Sequence, residues 1–304
     1  MTTQPLSSAR YNPWNRYRLM KQVSRTLMHA VGILLSALCF LPFIVSVSAS
    51  FTEEKALSKN GYGFYPPVFS AAAYDLILKV PQDILRSYAV TFFVMILGTI
   101  LSLLVMAPFA YALSRRDFGP RKFFAFYVFF TMVFSGGLVP WYILIKQYLH
   151  LADTLWVMIV PFLVNGFTLI ILRSSFAALP QEILDAARID GAGEWRILTQ
   201  IAVPMAAPTL AAMGIFIALG FWNTYYPALL FINDRKLYPL QYLLYIIQTN
   251  MQMFTANPNV TGISVPTISL RYAMVVLIGF PVLFFTLFFQ KYFVKGVYLG
   301  GIKE

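Results

Sequence analysis

The sequence predicts an all-α integral membrane protein with six membrane-spanning helices, and three observations support this fold class. Hydrophobic residues make up 59% of the 304 residues and charged residues only 12%, whereas soluble domains carry roughly 25% charged residues. Apolar runs recur at lengths that can cross about 30 Å of hydrocarbon as helices. Lys and Arg are concentrated in alternate connecting segments, as expected for a chain that crosses a membrane repeatedly.

The six predicted spans follow from the positions of these apolar runs. They cover residues 30–52, 89–114, 123–145, 154–172, 203–227 and 272–290. Several contain proline, which bundled membrane helices tolerate because neighbouring helices satisfy the freed carbonyls, so kinks are expected. The first run is interpreted as an anchor, since it is longer than a signal-peptide core and its removal would leave an odd number of spans. Cys39, the single cysteine, lies within it and can form no intramolecular disulfide.

The charge distribution predicts that both termini are cytoplasmic. Fifteen of the 23 Lys and Arg residues fall in segments 1–29, 115–122, 173–200 and 291–304. The opposite, longer segments carry the other eight, and basic residues favour the inner side. The chain therefore divides into a basic N-terminal segment, 1–29, and a six-span domain, 30–304. This domain has a cytoplasmic loop at 173–200 and an external loop at 228–271.

Net charge by itself would suggest a polyanionic partner, because the chain carries a formal charge of +11. The alternation of basic segments explains most of that charge. The N-terminal segment has five basic and no acidic residues, with tyrosine and tryptophan interleaved, which is typical of an anchor at the inner lipid leaflet. Membrane lipid is therefore an expected partner, and nucleic acid is not.

The motifs of several enzyme classes are missing from the sequence. It contains no Gly-x-x-x-x-Gly-Lys-Ser/Thr loop and no His-Glu-x-x-His pair. No Asp or Glu lies inside a predicted span, which removes the usual proton relay and the intramembrane aspartyl-protease pair. We expect no catalytic residue, no metal site and no cofactor bound by this chain, so ATP-driven work would require a separate ATPase.

The most distinctive motif lies between the fourth and fifth predicted spans. An acid and two alanines are followed after three residues by glycine, and nine residues later by Ile-x-aliphatic-Pro. These residues are Asp185, Ala186, Ala187, Gly191, Ile201 and Pro204. Good helix formers fill 181–190 after Pro180, which suits a first helical turn. Gly191 permits a sharp stop, and 193–200 can restart as a second helix. The sequence thus predicts a helical elbow outside the membrane.

Two interpretations of Asp185 are open from the residues alone. The small side chains beside it would let another protein approach closely and meet its charge. Alternatively, Asp185 and Arg188 form a solvated pair three residues apart on a helix, worth about 0.2–0.5 kcal/mol. The complete spacing, placed between two spans, favours docking.

This spacing resembles the coupling loop of membrane subunits of binding-protein-dependent ABC importers, although Asp185 stands where that family usually has Glu, and Val203 where Leu is usual. Further stretches are similar to MalG-like carbohydrate permeases, including those of alginate-type polysaccharide importers. These stretches cover residues 113–118, 136–140, 222–225 and 291–296. The resemblance extends over nearly everything after residue 29.

The resemblance implies a type I ABC importer permease fold in the cell inner membrane. It implies as partners a second homologous permease, two ATPase subunits that hold ATP and Mg, and an external solute-binding protein. The expected cargo is an oligo- or polysaccharide, including uronates such as alginate. The alternatives are a permease for a non-sugar solute and a membrane scaffold or intramembrane enzyme that shares only the elbow.

By the same resemblance, Asp185, Ala186, Ala187 and Gly191 would sit in an ATPase cleft, and three further sets of residues become candidates. The tail would also contact the ATPases, unless it is simply a solvated end, and Glu304 replaces the family's usual final glycine. The external loop would face the binding protein. Aromatic residues near the end of span five would contact sugar, unless they form an interfacial belt. The tail residues are Gly300, Gly301 and Lys303, and the external-loop residues are Thr255, Asn257, Gly262 and Ser264. The residues near the end of span five are Trp222, Asn223, Tyr225 and Tyr226.

Overall fold

The computed structural model describes residues 13–79, 81–256 and 266–301, and the regular elements in these ranges are helices. The α-helices are α1 Pro13–Ser50, α2 Glu54–Asn60, α3 Ala72–Leu78, α4 Pro81–Ser114, α5 Arg121–Val133, α6 Leu138–Ile143, α7 Gly166–Ala177, α8 Gln181–Ile189, α9 Glu194–Ile197, α10 Val203–Met205, α11 Ala207–Trp222, α12 Tyr226–Phe231, α13 Leu240–Ala256 and α14 Thr267–Gly301. Short 3₁₀ segments cover Leu155–Met158, Val160–Phe162 and Arg235–Leu237, and π-helical turns cover Leu144–Tyr148 and Leu198–Ala202.

Within these ranges, four helical stretches are long and apolar enough to cross a membrane. They are Lys21–Ser50, Pro81–Ser114, Ala207–Phe231 and Thr267–Phe285. Two further pairs of helices qualify only when each bent pair counts as one span, which raises the number to six. The all-α prediction is confirmed, and the six predicted spans correspond to four stretches that qualify singly and two pairs of helices bent at a break.

The third and fourth spans differ from the continuous helices that their apolar runs suggested. Arg121–Val133 and Leu138–Tyr148 meet at an angle of 111°, and Leu155–Phe162 and Gly166–Ala177 at 48°. Gly137, with φ of +87°, allows the first reversal at low steric cost. Pro161 lies in the 3₁₀ segment just before the second break, whereas helices α1, α4 and α14 continue through their prolines. Proline alone therefore did not identify the breaks.

Helix α4 forms the centre of the bundle and takes part in two hydrophobic clusters, one along each half. The distal cluster joins α4 to α11 and α14 through buried residues that include Val94, Trp222 and Met274. The elbow cluster joins α4 to α7 and α8 through Met106, Leu172 and Leu184, among others. Helices α4 and α11 approach closely because α4 has a glycine at position 98, where an added Cβ would lie 2.7 Å from the Phe221 ring.

At the end of the bundle away from the elbow, Glu54 fixes the start of α14. Its carboxylate accepts hydrogen bonds from the backbone N–H groups of Ile268 and Ser269 and from the hydroxyl groups of Thr267 and Ser269, at 2.9–3.1 Å. The first N–H groups of a helix have no partner within the helix, and a carboxylate satisfies them while complementing the helix dipole. Glu54 thus ties α2 to the last span.

We expect Glu54→Gln to destabilise the protein by about 1–2 kcal/mol, because charge-assisted bonds to a helix N-terminus are replaced by weaker neutral ones. The matched control is Glu53→Gln, since Glu53 makes no side-chain cap bond to α2. Chemical unfolding in detergent would measure both variants. Equal unfolding midpoints for the two would show that the cap contributes nothing.

Candidate functional site

The predicted elbow is present between α7 and α11. Helix α8 follows Pro180, which occupies the N-cap rather than the first turn. The chain then reverses at Gly191, where φ is +81°, and α9 begins after Gly193. The helical restart extends beyond the predicted 193–200, because α9 is followed without a gap by the π-helical turn Leu198–Ala202 and by α10, Val203–Met205.

One face of the elbow is buried within the protein itself. Leu184 and Ile197 are 0% exposed and Ala187 is also buried, all in the elbow cluster. Ala187, expected from the resemblance to contact an ATPase, therefore packs inside the chain. Its small side chain lets α8 approach the helices beneath it.

The opposite face of the elbow is exposed and combines an acid with apolar residues. The Asp185 side chain is 60% exposed, and Ala186 and Gly191 are exposed beside it. Ile189 is 87% exposed and Trp195 71%. Sequence reasoning missed these two large apolar residues. The sequence does contain a signal for them, because each is a large apolar residue that lies off the apolar face of its short helix. Ile201 is half-buried and Pro204 is exposed at the far end of the motif.

Arg188 joins the elbow to the turn that connects α4 and α5. Its Nη2 donates to Asp117 Oδ2 at 2.7 Å and to Glu194 Oε1 at 2.7 Å, and its Nε donates to Glu194 Oε1 at 2.9 Å. The pair with Asp185 also exists, with 3.5 Å between Arg188 Nη1 and Asp185 Oδ1, but it is the longest of these contacts. The Asp185 carboxylate therefore remains available to another protein.

These contacts favour the charged forms of Asp117 and Arg188. Partial burial by itself would raise the pKa of Asp117. Its own backbone N–H and the cations of Arg188 and Arg115 outweigh burial, so that the pKa of Asp117 is lowered. Hydrogen bonding to Glu194 is the main reason why the pKa of Arg188 is raised. Because the pKa of Asp117 is lowered, its ion pairs contribute to the stability of the folded protein at neutral pH. This contribution is lost as the pH falls through the lowered pKa, below the usual carboxyl value near 4.

A cavity of about 530 Å³ lies between the break in the fourth span and the end of α11. Three of the four proposed sugar-contact residues line it, namely Asn223, Tyr225 and Tyr226. The fourth, Trp222, is 1% exposed and packs edge to face on Phe92 with ring centroids 5.3 Å apart. Trp222 is therefore part of the distal cluster rather than of this cavity.

Polar groups from the broken fourth span complete the cavity wall. Asn165 and Thr168 line it, and the Asn165 side chain caps α7 by accepting from Thr168 N at 3.0 Å. Across the cavity, Asn223 Oδ1 accepts from Gln241 Nε2 of α13 at 3.2 Å. Sequence reasoning missed Asn165 and Thr168, although Asn three residues before Thr at the start of a helix is a recognisable cap.

The remaining candidates lie at the margins of the described ranges. Thr255 belongs to the last turn of α13. Gly300 and Gly301 end α14. Asn257, Gly262, Ser264 and Lys303 lie outside the described residues. Within the described ranges, no group of three or more His, Cys, Asp or Glu residues could hold a metal ion.

Comparison with known proteins assigns the architecture to a family. Residues 89–298 match the family described as binding-protein-dependent transport system inner membrane component. The chain belongs to this family. It is accordingly a multi-pass transport permease of the inner membrane rather than an enzyme, and the family expected from its motifs is confirmed.

Two relatives and one solved structure show how far the similarity of this permease extends. It is 36% identical over 281 residues to the polygalacturonan/rhamnogalacturonan transport system permease protein YtcP of Bacillus subtilis, covering 91% of this chain and 97% of the relative. It is 34% identical over 268 residues to Protein LplC of the same organism, covering 88% and 90%. A chain in the crystal structure of a bacterial ABC transporter involved in the import of the acidic polysaccharide alginate matches with a TM-score of 0.75 and 28% identity. That match covers 94% of the permease and all of the other chain, and it confirms the type I permease fold.

We expect Gly191→Ala to strain the reversal of the elbow by about 1–2 kcal/mol, because a residue with a Cβ is disfavoured at φ of +81°. No atom lies within 4 Å of an added Cβ, so the cost is conformational rather than steric. Gly193→Ala is the matched control, since its φ is −69° and its Cβ would also meet open space. Thermal unfolding in detergent should separate the two variants, and equal melting temperatures would contradict the role assigned to Gly191.

Proposed function

We propose that this protein is a permease subunit that imports a carbohydrate, with ATP hydrolysed by separate subunits that grip the elbow. The observation that carries the proposal is the elbow itself, which is packed firmly on one face and on the other presents Asp185, an acid with an exposed side chain, together with exposed apolar residues. In this proposal the elbow and both termini are cytoplasmic, in agreement with the basic residues of the segments around them.

The exposed face of the elbow has the composition of a docking surface. Trp195 and Ile189 would supply apolar area, and Asp185 would supply a charge that meets a basic group of the ATPase. Aromatic anchors surrounded by polar contacts carry most of the energy in protein interfaces. ATP and Mg would be held by the ATPase subunits. Closure of these subunits would displace the elbow and alternate the access of the cavity.

The cavity suits a neutral or weakly polar face of a sugar. Its tyrosine rings offer apolar faces, and its Asn and Thr side chains offer hydrogen bonds, as carbohydrate sites require. No Lys or Arg is among the residues that line it in the described part of the chain. Contacts to uronate carboxylates would therefore come from the second permease. An external binding protein would deliver the cargo to this path, with the segment around residues 255–264 facing it.

The similarity to carriers of alginate and of polygalacturonan/rhamnogalacturonan makes acidic oligo- and polysaccharides the first cargoes to test. Proteoliposomes with the second permease, the ATPases and the binding protein would be given acidic oligosaccharides, neutral oligosaccharides, an amino acid and phosphate. Stimulation of ATP hydrolysis by a saccharide supports the proposal. Stimulation only by the amino acid or phosphate would overturn the sugar assignment.

We expect Asp185→Asn to weaken binding of the ATPase subunits by at least about thirtyfold. The reason is that loss of one partner from a desolvated ion pair costs roughly 2–5 kcal/mol. The measurement is titration of the purified permease pair with the ATPase in detergent. Asp190→Asn removes the same charge at the end of the same helix and should leave binding nearly unchanged. Equal weakening by both variants would show that only the total charge of the elbow matters.

We expect Tyr226→Ala to raise the half-saturating cargo concentration for uptake about two- to tenfold, because an aromatic contact worth about 0.5–1.5 kcal/mol is lost. Tyr226→Phe should retain most of the affinity if stacking is the main contribution. Tyr148→Ala is the control, since Tyr148 is exposed and lies outside the cavity. Unchanged uptake by Tyr226→Ala would exclude this ring from the cargo path.

A further inference from the structure

We propose that Arg188 is a positioning residue that locks the elbow sideways onto the α4–α5 turn, so that the elbow and α4 move as one body. This inference rests on the proposed function, because it concerns how a displacement of the elbow reaches the rest of the permease. It adds a lateral connection between segments that are about seventy residues apart in sequence, distinct from the chain connections to α7 and α11.

Three segments converge on one guanidinium group. Asp117 belongs to the α4–α5 turn, Asp185 to α8 and Glu194 to α9, and each pairs with Arg188. Glu194 is held in turn by α4 itself, because its Oε2 accepts from the buried Tyr111 hydroxyl at 3.0 Å. The elbow therefore has two polar links to the end of α4, one through Asp117 and one through Tyr111.

The shape of arginine is what makes this junction possible. Its planar fork presents donors in several directions at once, and here Nε, Nη1 and Nη2 all face carboxylates. A lysine ammonium on its flexible stem would reach one or two of these groups but could not hold all three in fixed relative positions. Isolated exposed ion pairs contribute little, whereas a shared network with good geometry is a stronger constraint.

The network complements the apolar packing beneath it. Contacts such as those of Leu184 and Ile197 with the elbow cluster resist separation, but hydrophobic attraction is non-directional and packed helices can slide by small shear movements. The 2.7 Å hydrogen bond from Arg188 Nη2 to Asp117 Oδ2 fixes the register of the elbow against the α4–α5 turn. We therefore expect the loss of Arg188 to permit sliding without detaching the elbow.

Helix α4 can pass such a displacement to the other end of the bundle. Near its start, Thr91 Oγ1 accepts from Leu240 N at 2.8 Å, and the Tyr88 hydroxyl donates to Leu277 O at 2.6 Å. These bonds connect α4 to α13 and α14, the two helices on either side of residues 257–265. A continuous set of contacts thus joins the elbow to the opposite end of the permease.

The test compares transport with ATP consumption in the full complex reconstituted in liposomes. Arg188→Gln and Asp117→Asn should keep the ATPase bound, since Asp185 is intact. Uptake per ATP hydrolysed should fall about fivefold or more, fivefold being the smallest factor typical of energetic coupling between two sites. Arg188→Lys should rescue only part of this ratio. Arg116→Gln is the matched control, because this exposed arginine of the same turn makes no ion pair within the described ranges. Wild-type ratios in both Arg188→Gln and Asp117→Asn would overturn the inference.

A cross-linking arm separates coupling from simple stabilisation. In a Cys39→Ser background, Asp117→Cys and Arg188→Cys would be joined by a short bifunctional methanethiosulfonate reagent. We expect uptake per ATP to be low before the reagent is added and to recover once the two cysteines are cross-linked. Reduction of the cross-link should lower uptake per ATP again. A purely structural role predicts no such reversal. No recovery after complete cross-linking, or failure of all these variants to assemble, would count against the inference.

The outcomes also distinguish this inference from the proposed function. If the wild-type permease binds no ATPase, or takes up no cargo, the proposed function itself fails. If the wild type is active and Asp185→Asn loses the ATPase while Arg188→Gln transports normally, only the role of Arg188 is wrong.

Discussion

The burial of the elbow against α4 and α7 is the interaction on which the rest of the structure depends. Leu184 and Ile197 are completely enclosed among residues of α4 and α7, and enclosing an aliphatic side chain is worth about 1.5–3 kcal/mol. Without that packing, Gln181–Ile189 would be a nine-residue helix with little stability of its own. With it, a connection between two spans becomes a rigid projection. The exposed face of that projection can then carry charge and aromatic groups without collapsing onto the bundle.

Sequence patterns predicted the elements that local chemistry determines. Long apolar runs located the spans, and Pro180 and Gly191 located the start and the reversal of the elbow, since both residues act through their own backbone dihedrals. The broken spans were not predicted, because a 111° change of direction depends on packing as well as on Gly137. The pairing of Arg188 with Asp117 was also beyond local reasoning, because 71 positions separate the two residues. The i,i+3 pair with Asp185 was visible in the sequence, yet it proved the longest of the Arg188 contacts.

The two candidate surfaces show why residue type alone assigned some positions and misplaced others. Trp222 and Tyr226 are aromatic residues four positions apart, but the helix ends between them, at Trp222. Trp222 therefore follows the buried face of α11 into the distal cluster, while Tyr226 starts a new helix and lines the cavity. Ala187 was misplaced for a related reason. Small residues suit a docking surface and a tight internal contact equally well, and only the direction of the α8 apolar face decides between them.

The distribution of stiff and broken spans bears on how the proposed transport cycle would work. Helices α4 and α14 are continuous despite their prolines, and α14 is held at its start by Glu54. The third and fourth spans are interrupted, and the cavity lies beside the second interruption, at Pro161 to Thr168. A displacement applied to the elbow would be carried by the stiff helices and absorbed where the chain is already bent, because the breaks lack continuous helical hydrogen bonding. Under the proposed function, the side chains at that break, Asn165 and Thr168, would therefore move relative to Tyr226 across the cavity, which is the change in shape that alternating access requires.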